Sequence, residues 1–341
     1  MTAAAHPAVI FRADASHAIG FGHVARLCAV IEEVEPSGAR PIVMFGGDHA
    51  LAPWMASHRL TGEIKPWTPD EVLATASRPG VHAVVIDGPA LAAALVPPLA
   101  ERGVRTIVID DRGDLALPVD AVVNHNFHAP SLAAGYPAAG LRLLGRKYLM
   151  LRRAIRRYPR GACRPSDGQR LRVVVTFGGS DPVGATARTL RLLPTDRALA
   201  LHVLLGPGFR DDEPFQLATA AATAAGHTVE ITRDSADPGA LFVAADAAIC
   251  AAGGTLGELA YLGCPALGFA IVPDQVAGAR SQVRSGLISS GRTWSATDDT
   301  TVRAELTTFL LDDRRRHDQR QRALATVDGA GARRVVAEAL C

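Results

Sequence analysis

An apolar run, a glycine turn and a helical stripe follow one another near the N terminus, and the same order recurs in the second half. Val9-Ile10-Phe11 is followed by Gly20-Phe21-Gly22-His23. Val24, Leu27, Cys28, Ile31 and Val34 then recur at the spacing of one buried helical face. In the second half Leu171-Arg172-Val173-Val174-Val175-Thr176 runs into Phe177-Gly178-Gly179-Ser180-Asp181-Pro182. Few folds accept this grammar. A strand that feeds a helix through a glycine turn, and then another strand, implies a parallel sheet with right-handed crossovers.

Further strands are expected at 41–45, 83–87, 104–109 and 121–124, and in the second half at 200–205, 227–231, 247–250 and 266–270. An Ala/Leu-rich helix is expected from about Ala90 to Glu101, with Gly103 ending it, and Asp48 is a candidate helix cap. From Tyr148 to Arg170 the alternation breaks, with basic residues, Pro159, Gly161, Pro165 and Gly168, so this stretch reads as a surface connector. From Thr300 onward only helical patterning remains. With 341 residues, the chain is long enough for two cores. The expected division is an N-terminal lobe over 1–150, a connector over 151–170 and a C-terminal lobe over 171–341. In such α/β sheets ligands bind outside the carboxyl ends of the strands. Asp14, Gly20, Asp87, Asp110, Gly178 and Gly253 all fall just after expected strands, and two lobes can turn these edges toward one cleft.

Composition removes several classes of function. A net charge of +2 supplies no basic field for nucleic acid, and 5% aromatic residues supply no stacking platform. The pairs Arg152-Arg153 and Arg156-Arg157 and the run Arg314-Arg315-Arg316 read as solvated helix faces. The five cysteines, Cys28, Cys163, Cys250, Cys264 and Cys341, form no CxxC pair. Neither a disulfide framework nor a zinc site is expected, and a cytoplasmic location fits. Cys28, Cys250 and Cys264 are expected in the core. No secretory signal or membrane span is expected.

Four constellations carry chemistry. Gly20-Phe21-Gly22-His23 lacks the third glycine of a dinucleotide fingerprint, because position 25 is Ala, and it lacks the Gly-Lys-Ser/Thr of a P-loop. A histidine at a helix start feels the positive end of the macrodipole, which favours neutral imidazole, a form that takes a proton from water or a hydroxyl. The same His23 reads equally as a residue that packs the turn. Ala252-Gly253-Gly254-Thr255 opens a helix whose free N–H groups make a diphosphate site, with Glu258 placed for a ribose diol. Thr255 with Glu258 also matches a capping box. Gly178-Gly179-Ser180 is a further turn for phosphate, or an ordinary loop with Asp181 as cap. The acids Asp14, Asp87, Asp110, Asp111 and Asp114 contain no Asp-x-Asp pair, so no metal is expected. Asn124-His125-Asn126 follows a strand and reads as facing the cleft.

Taken together, these residues resemble the UDP-sugar hydrolases of pseudaminic acid biosynthesis and the related spore-coat polysaccharide proteins. The resemblance rests on Phe11-Arg12-Ala13-Asp14, Ile19-Gly20-Phe21-Gly22-His23 with Arg26, Ile86-Asp87, Asp110-Asp111, Val123-Asn124-His125-Asn126, Leu144-Gly145 with Tyr148 and Leu151-Arg152, Gly178 to Pro182 and Gly254 to Glu258. It covers most of the chain in order. It implies the two-lobed GT-B fold, with two Rossmann-like lobes, and is similar also to the N-acetylglucosaminyltransferase that makes lipid II. It further implies a metal-independent enzyme without a cofactor. His23 would be the general base, and Asp14 a further catalytic residue. Gly178, Gly179, Ser180, Gly253, Gly254, Thr255 and Glu258 would hold the nucleotide. Gly20, Gly22, Asn124, Asp274 and Gln275 would lie on the sugar or acceptor side. The implied reaction is displacement of UDP by water with inversion; with a small acceptor in place of water, the same residues make an inverting glycosyltransferase. Gly88-Pro89 stands where relatives carry His-Tyr, and Asp274-Gln275 where they carry Asn-Gln. Both departures point to a sugar other than the diacetamido altrose.

Overall fold

A computed structural model describes residues 7–16, 20–47, 51–165 and 170–341. Ile19, Asp48 and Gly168 lie outside the described residues, as do residues 1–6. The chain forms two compact units. The first comprises residues 1–153 and 329–341, and the second residues 154–328.

The first unit is built on a seven-stranded sheet. Its strands are β1 (Ala8–Ala15), β2 (Arg40–Gly47), β3 (Glu63–Ile64), β4 (Val81–Asp87), β5 (Arg105–Ile109), β6 (Ala121–Asn124) and β7 (Leu141–Leu144). Their order is β3-β2-β1-β4-β5-β6-β7, and every pairing is parallel. β1 is buried on both faces, which is why it reads as a near-continuous apolar run. Phe11, with Val24, Leu27 and Val30 of the helix Gly22–Val34, lies in one core layer. Ile10, with Leu95 and Leu99 of the helix Pro89–Glu101, lies in the other. Full burial of a side chain such as Phe11 contributes about 1.5–3 kcal/mol. An exposed ion pair such as Arg112–Asp114 contributes about 0–1 kcal/mol. The layers therefore hold the unit, and the surface pairs only decorate it.

The second unit repeats the plan with six parallel strands: β8 (Leu171–Thr176), β9 (Leu199–Leu205), β10 (Thr228–Arg233), β11 (Ala247–Ala251), β12 (Ala266–Ala270) and β13 (Ser289–Thr293). The order is β10-β9-β8-β11-β12-β13. β11 and β12 are fully buried, whereas the edge strand β10 is largely exposed. The short strands β3, β7 and β13 lie outside the expected set. All three are short strands at sheet edges, and β3 and β13 carry few apolar residues.

The C terminus departs from the expected division. Residues 329–341 belong to the first unit, not the second. Ala332, Val335, Val336, Ala339 and Leu340 join its core, and the Tyr148 hydroxyl donates to Glu338 at 2.8 Å. Gly331 is required there: a Cβ would stand 2.2 Å from the Leu149 carbonyl oxygen. The connector is also less free than its composition implies. Its Gly161 N–H donates to Tyr261 O at 3.0 Å and its Cys163 N–H to Leu262 O at 2.9 Å. Cys28, Cys250 and Cys264 are buried free thiols, and so is Cys163. No described helix is long and apolar enough to cross a membrane.

Candidate active site

Both sheets reverse their strand order once. In the first unit the reversal lies between β1 and β4, in the second between β8 and β11. At such a switch point the loops leaving the two strands diverge and open a crevice at their carboxyl ends. Asp14 and the glycine turn leave β1, and Asp87 ends β4. Gly178 to Asp181 leave β8, and Gly253 to Glu258 leave β11.

In the first unit the turn closes through the Gly20 N–H, which donates to Ser16 O at 2.7 Å, with Gly20 at φ +82°. The helix Gly22–Val34 then begins, with His23 on its first turn. Nδ1 of His23 lies 2.6 Å from Oδ1 of Asp87. So short a contact with a carboxylate requires a proton on Nδ1, because two lone pairs would repel. That tautomer leaves Nε2 as the acceptor. Among the described residues no protein group bonds Nε2, and the imidazole is 28% exposed while Asp87 is 1% exposed.

Arg26, one turn further along the same helix, fixes the carboxylate. Its Nε donates to Asp87 Oδ2 and its Nη2 to Oδ1, each at 2.9 Å. Its Nη1 donates to Asp111, just past β5, and Asn126 Nδ2 donates to the other oxygen of Asp111 at 3.0 Å. Burial works against the charge on Arg26, but Asp111 and Asp87 outweigh it and hold the guanidinium charged. Burial opposes ionisation of Asp111 too; Arg26, helped by His125 and His23, overcomes it and holds the carboxyl at about 2. His125 is buried behind this cluster. Burial, then the charge of Arg26, push it down to about 4 against the pull of Asp111 and Asp87, so it is neutral at pH 7.

Two of the expected site residues are engaged within the fold. Asp14 is not the carboxylate on His23. It pairs with the buried Arg12 of its own strand and lies over Gly46 of β2. The carboxylate on His23 is that of Asp87. Asn124 is not on the sugar side either. It is fully buried, its Nδ2 donates to the Tyr136 hydroxyl at 2.8 Å, and its Oδ1 accepts from the Asn126 N–H at 3.1 Å. Tyr136 in turn donates to Asp110 at 2.8 Å. Asp110 also accepts from the N–H groups of Arg112 and Gly113, so it is a structural acid.

In the second unit the helix Thr255–Leu262 begins directly after the glycines, with Gly254 as its cap residue and no side chain capping it. The Thr255–Glu258 capping box is therefore not formed. Among the described residues no group accepts from the N–H of Gly253, Gly254 or Thr255. Gly254 has an ordinary helical φ of −56°, and a Cβ there would meet nothing. Gly22 is equally open on its Cβ side. Neither backbone strain nor packing calls for glycine at these two helix starts. Gln275 joins the turn: its Oε1 accepts from the Ile271 N–H at 3.0 Å, and its Nε2 would lie 3.3 Å from a Cβ on Gly253. Asp274 beside it is exposed and Glu258 is buried. Gly178 to Ser180 form a turn with Gly178 at φ +83°, and the Gly179 carbonyl accepts from the Gly208 N–H at 2.8 Å. Asp181 caps the helix Ala185–Leu192 through the N–H groups of Ala185 and Thr186, both at 2.8 Å, so it is not a ligand residue.

In the sequence Asp87, Arg26 and Asp111 read as strand-end acids or motif residues, not as partners of His23. The signal was present. Arg26 follows His23 by one helical turn, and Asp87 ends the strand that pairs with β1. Among the described residues, no three His, Cys, Asp or Glu side chains gather as a metal-ligand set. A shallow cavity of about 600 Å³ around Arg105 and Asp120 lies at the opposite ends of the strands, away from this chemistry.

No protein-family model matches the chain, and no curated protein matches it. Solved structures do. A MurG from Acinetobacter baumannii superposes with a TM-score of 0.68 at 15% identity, over 98% of this chain and 99% of that one. A UDP-glucosyltransferase from Polygonum tinctorium gives a TM-score of 0.65 at 13% identity, over 99% of each chain. A UDP-GlcNAc 2-epimerase from Neisseria meningitidis bound to UDP-GlcNAc gives 0.61 at 11%, over 98% and 99%. At these identities the likeness is one of fold. Two parallel-sheet α/β domains matched end to end by such chains constitute the GT-B fold, as the sequence resemblance implied.

Proposed function

We propose that this protein is an inverting, nucleotide-sugar-dependent enzyme, with a UDP-sugar as donor and His23 as the general base. The observation that carries the reading is the 2.6 Å contact between His23 Nδ1 and Asp87. It fixes the tautomer, leaves Nε2 open, and puts a buried negative charge behind the ring, where a positive one develops in the reaction.

The step is a single displacement. Nε2 of His23 takes the proton of a hydroxyl nucleophile. The nucleophile's oxygen forms a bond to the anomeric carbon on one face of the sugar. The bond from that carbon to the diphosphate oxygen breaks on the other face, and its electron pair leaves with the nucleoside diphosphate. Asp87 does not take the proton; it holds the ring and stabilises the imidazolium. The N–H groups of Gly253, Gly254 and Thr255 donate to the departing diphosphate, with the positive end of the helix dipole behind them. Gln275, held against Gly253, orders the same turn.

The nucleophile in this reading is an acceptor hydroxyl. Several of the similar folds are glycosyltransferases by description, and the base geometry suits an alcohol as well as water. The second reading, with water as nucleophile, rests on the resemblance of the Asp14, His23, Asn124-to-Asn126 and Gly178-to-Pro182 motifs to sugar-nucleotide hydrolases. Incubation with a panel of UDP-, dTDP- and GDP-sugars, with and without candidate acceptors, separates the two. Mass spectrometry reads the products and NMR the anomeric configuration. An inverted glycoside formed only with acceptor supports the transferase. Inverted free sugar formed without acceptor moves the assignment to hydrolysis. Products of retained configuration would remove the single-displacement mechanism altogether.

A further inference from the structure

We infer that Asp111 is the charge-balancing residue of the base. It takes up the positive charge of Arg26, so that the negative charge of Asp87 is left for the imidazolium that forms on His23. The inference rests on His23 being the base. It concerns how that base is tuned, not which sugar is moved.

The geometry states the problem. Arg26 grips both oxygens of Asp87 at 2.9 Å, and its Nη2 lies 2.9 Å from His23 Nδ1. With these two residues alone, guanidinium and carboxylate would cancel, and the imidazole would face a neutral pair with the cation at its edge. Protonation would then be opposed. Asp111 changes the sum. It pairs with Arg26 through Nη1, and Asn126 holds its second oxygen. Two carboxylates and one guanidinium leave one negative charge in excess while the imidazole is neutral. The sum is zero once His23 has taken a proton. The cluster is thus balanced for the state in which the base is charged.

The other groups around the ring do not disturb this count. His125, beyond β6, is neutral. Asp14 is spent on Arg12 of β1, and Asp110, beyond β5, receives the Tyr136 hydroxyl. The packing is tight enough for charge to matter, because the side chains of Arg26 and Asp87 are 16% and 1% exposed. At an effective dielectric near 20, a unit charge about 6 Å away shifts a titration by roughly one to two pH units.

Asp111→Asn keeps the shape and removes the charge; Arg26→Gln removes the opposing charge. The test is the imidazole titration of His23 in ligand-free protein, followed by NMR and assigned with His23→Gln. The Nδ1 proton resonance serves as a check that the ring still faces Asp87. Asp111→Asn is expected to displace the titration to lower pH by about one unit, and Arg26→Gln to displace it upward. Asp111→Glu, which restores the charge, returns it toward wild type. The acid limb of the pH–rate profile should follow the same order. An unmoved titration in Asp111→Asn with the Nδ1 proton retained would overturn the inference and leave Asp111 a structural anchor for Arg26. Should Asp111→Asn not fold, Asp111→Ser decides in its place: a downward move supports the inference, and no move or an upward one defeats it. Because no turnover is measured in the titration, it stands or falls separately from the transferase reading.

Discussion

Nδ1 of His23 stands 2.6 Å from Oδ1 of Asp87, across the switch point of the first sheet. β1 leads into the turn that presents the histidine and β4 ends in the acid, so the sheet's own register sets the pair. Asp87→Asn should therefore leave the ring in place but permit the wrong tautomer. We expect turnover to fall by about 10³-fold or more, with UDP affinity within about two-fold of wild type. Steady-state kinetics and calorimetry read the two quantities. A variant that lost affinity and kept turnover would separate Asp87 from the chemistry.

Gly254→Ala tests the nucleotide turn with two readouts of opposite sign. Alanine fits the helical φ and meets no atom. It should leave thermal stability unchanged or raise it by about 0.4–1 kcal/mol. UDP affinity should fall about ten-fold or more, because the methyl group occupies the space of the phosphate. Unchanged affinity would show that the diphosphate lies elsewhere.

Asn124→Ala distinguishes structure from recognition. It removes the acceptor of the Asn126 N–H and the partner of the Tyr136 hydroxyl, all buried or half-buried. A loss of about 1–3 kcal/mol is expected in urea unfolding, while acceptor KM stays put below the melting transition. A raised KM without destabilisation would return Asn124 to the sugar side.

Acid stability follows from two histidines. Burial holds His125 at about 4, and burial with the charge of Arg152 holds His58 at about 4 against the pull of the Trp54 carbonyl. Their folded values lie below the unfolded value of about 6.5, so the unfolded chain binds the extra protons. Stability falls as pH drops from about 6.5 to about 4. For fully buried His125 the change is on the order of 3 kcal/mol. Asp111 adds nothing in that window. Its stabilisation is complete above about 3.8 and is lost only as pH falls toward about 2. Urea melts at pH 7, 5.5 and 4.5 should show the slope, and His125→Gln should flatten it. An equally steep slope in that variant would locate the effect elsewhere.

The returning C terminus makes a domain-specific prediction. Truncation after Asp328 removes Val335, Val336, Ala339 and Leu340 from the first core. Hydrogen exchange should rise in the helix Gly22–Val34 and stay unchanged in β9. Equal loosening of both would contradict the assignment of residues 329–341 to the first unit.

The central strands were legible because burial on both faces leaves unbroken apolar runs, as in Val84-Val85-Ile86 and Ala247 to Ala251. β3, β7 and β13 were not, because short strands at or near a sheet edge carry little of that signal. The return of residues 329–341 was hidden for a different reason: helical patterning reports a buried face but not which core buries it. At the site, His23 and the Gly253 turn stood out through glycine and helix-start chemistry, which is local. Which acid serves His23 is a matter of strand order. Asp14 is near in sequence but pairs with Arg12, while Asp87 is brought in from β4. Asn124 misled because polarity after a strand looks like a ligand residue, whereas here it satisfies a buried tyrosine.

The most direct measurement compares wild type with His23→Ala for nucleoside diphosphate release from the best donor of the panel, with UDP affinity measured on the same preparations. Release is expected to fall by about 10³-fold or more while UDP binds within about two-fold of wild type. Near-normal release from His23→Ala would contradict the base role of His23, because no other described group stands at Nε2 to take the proton.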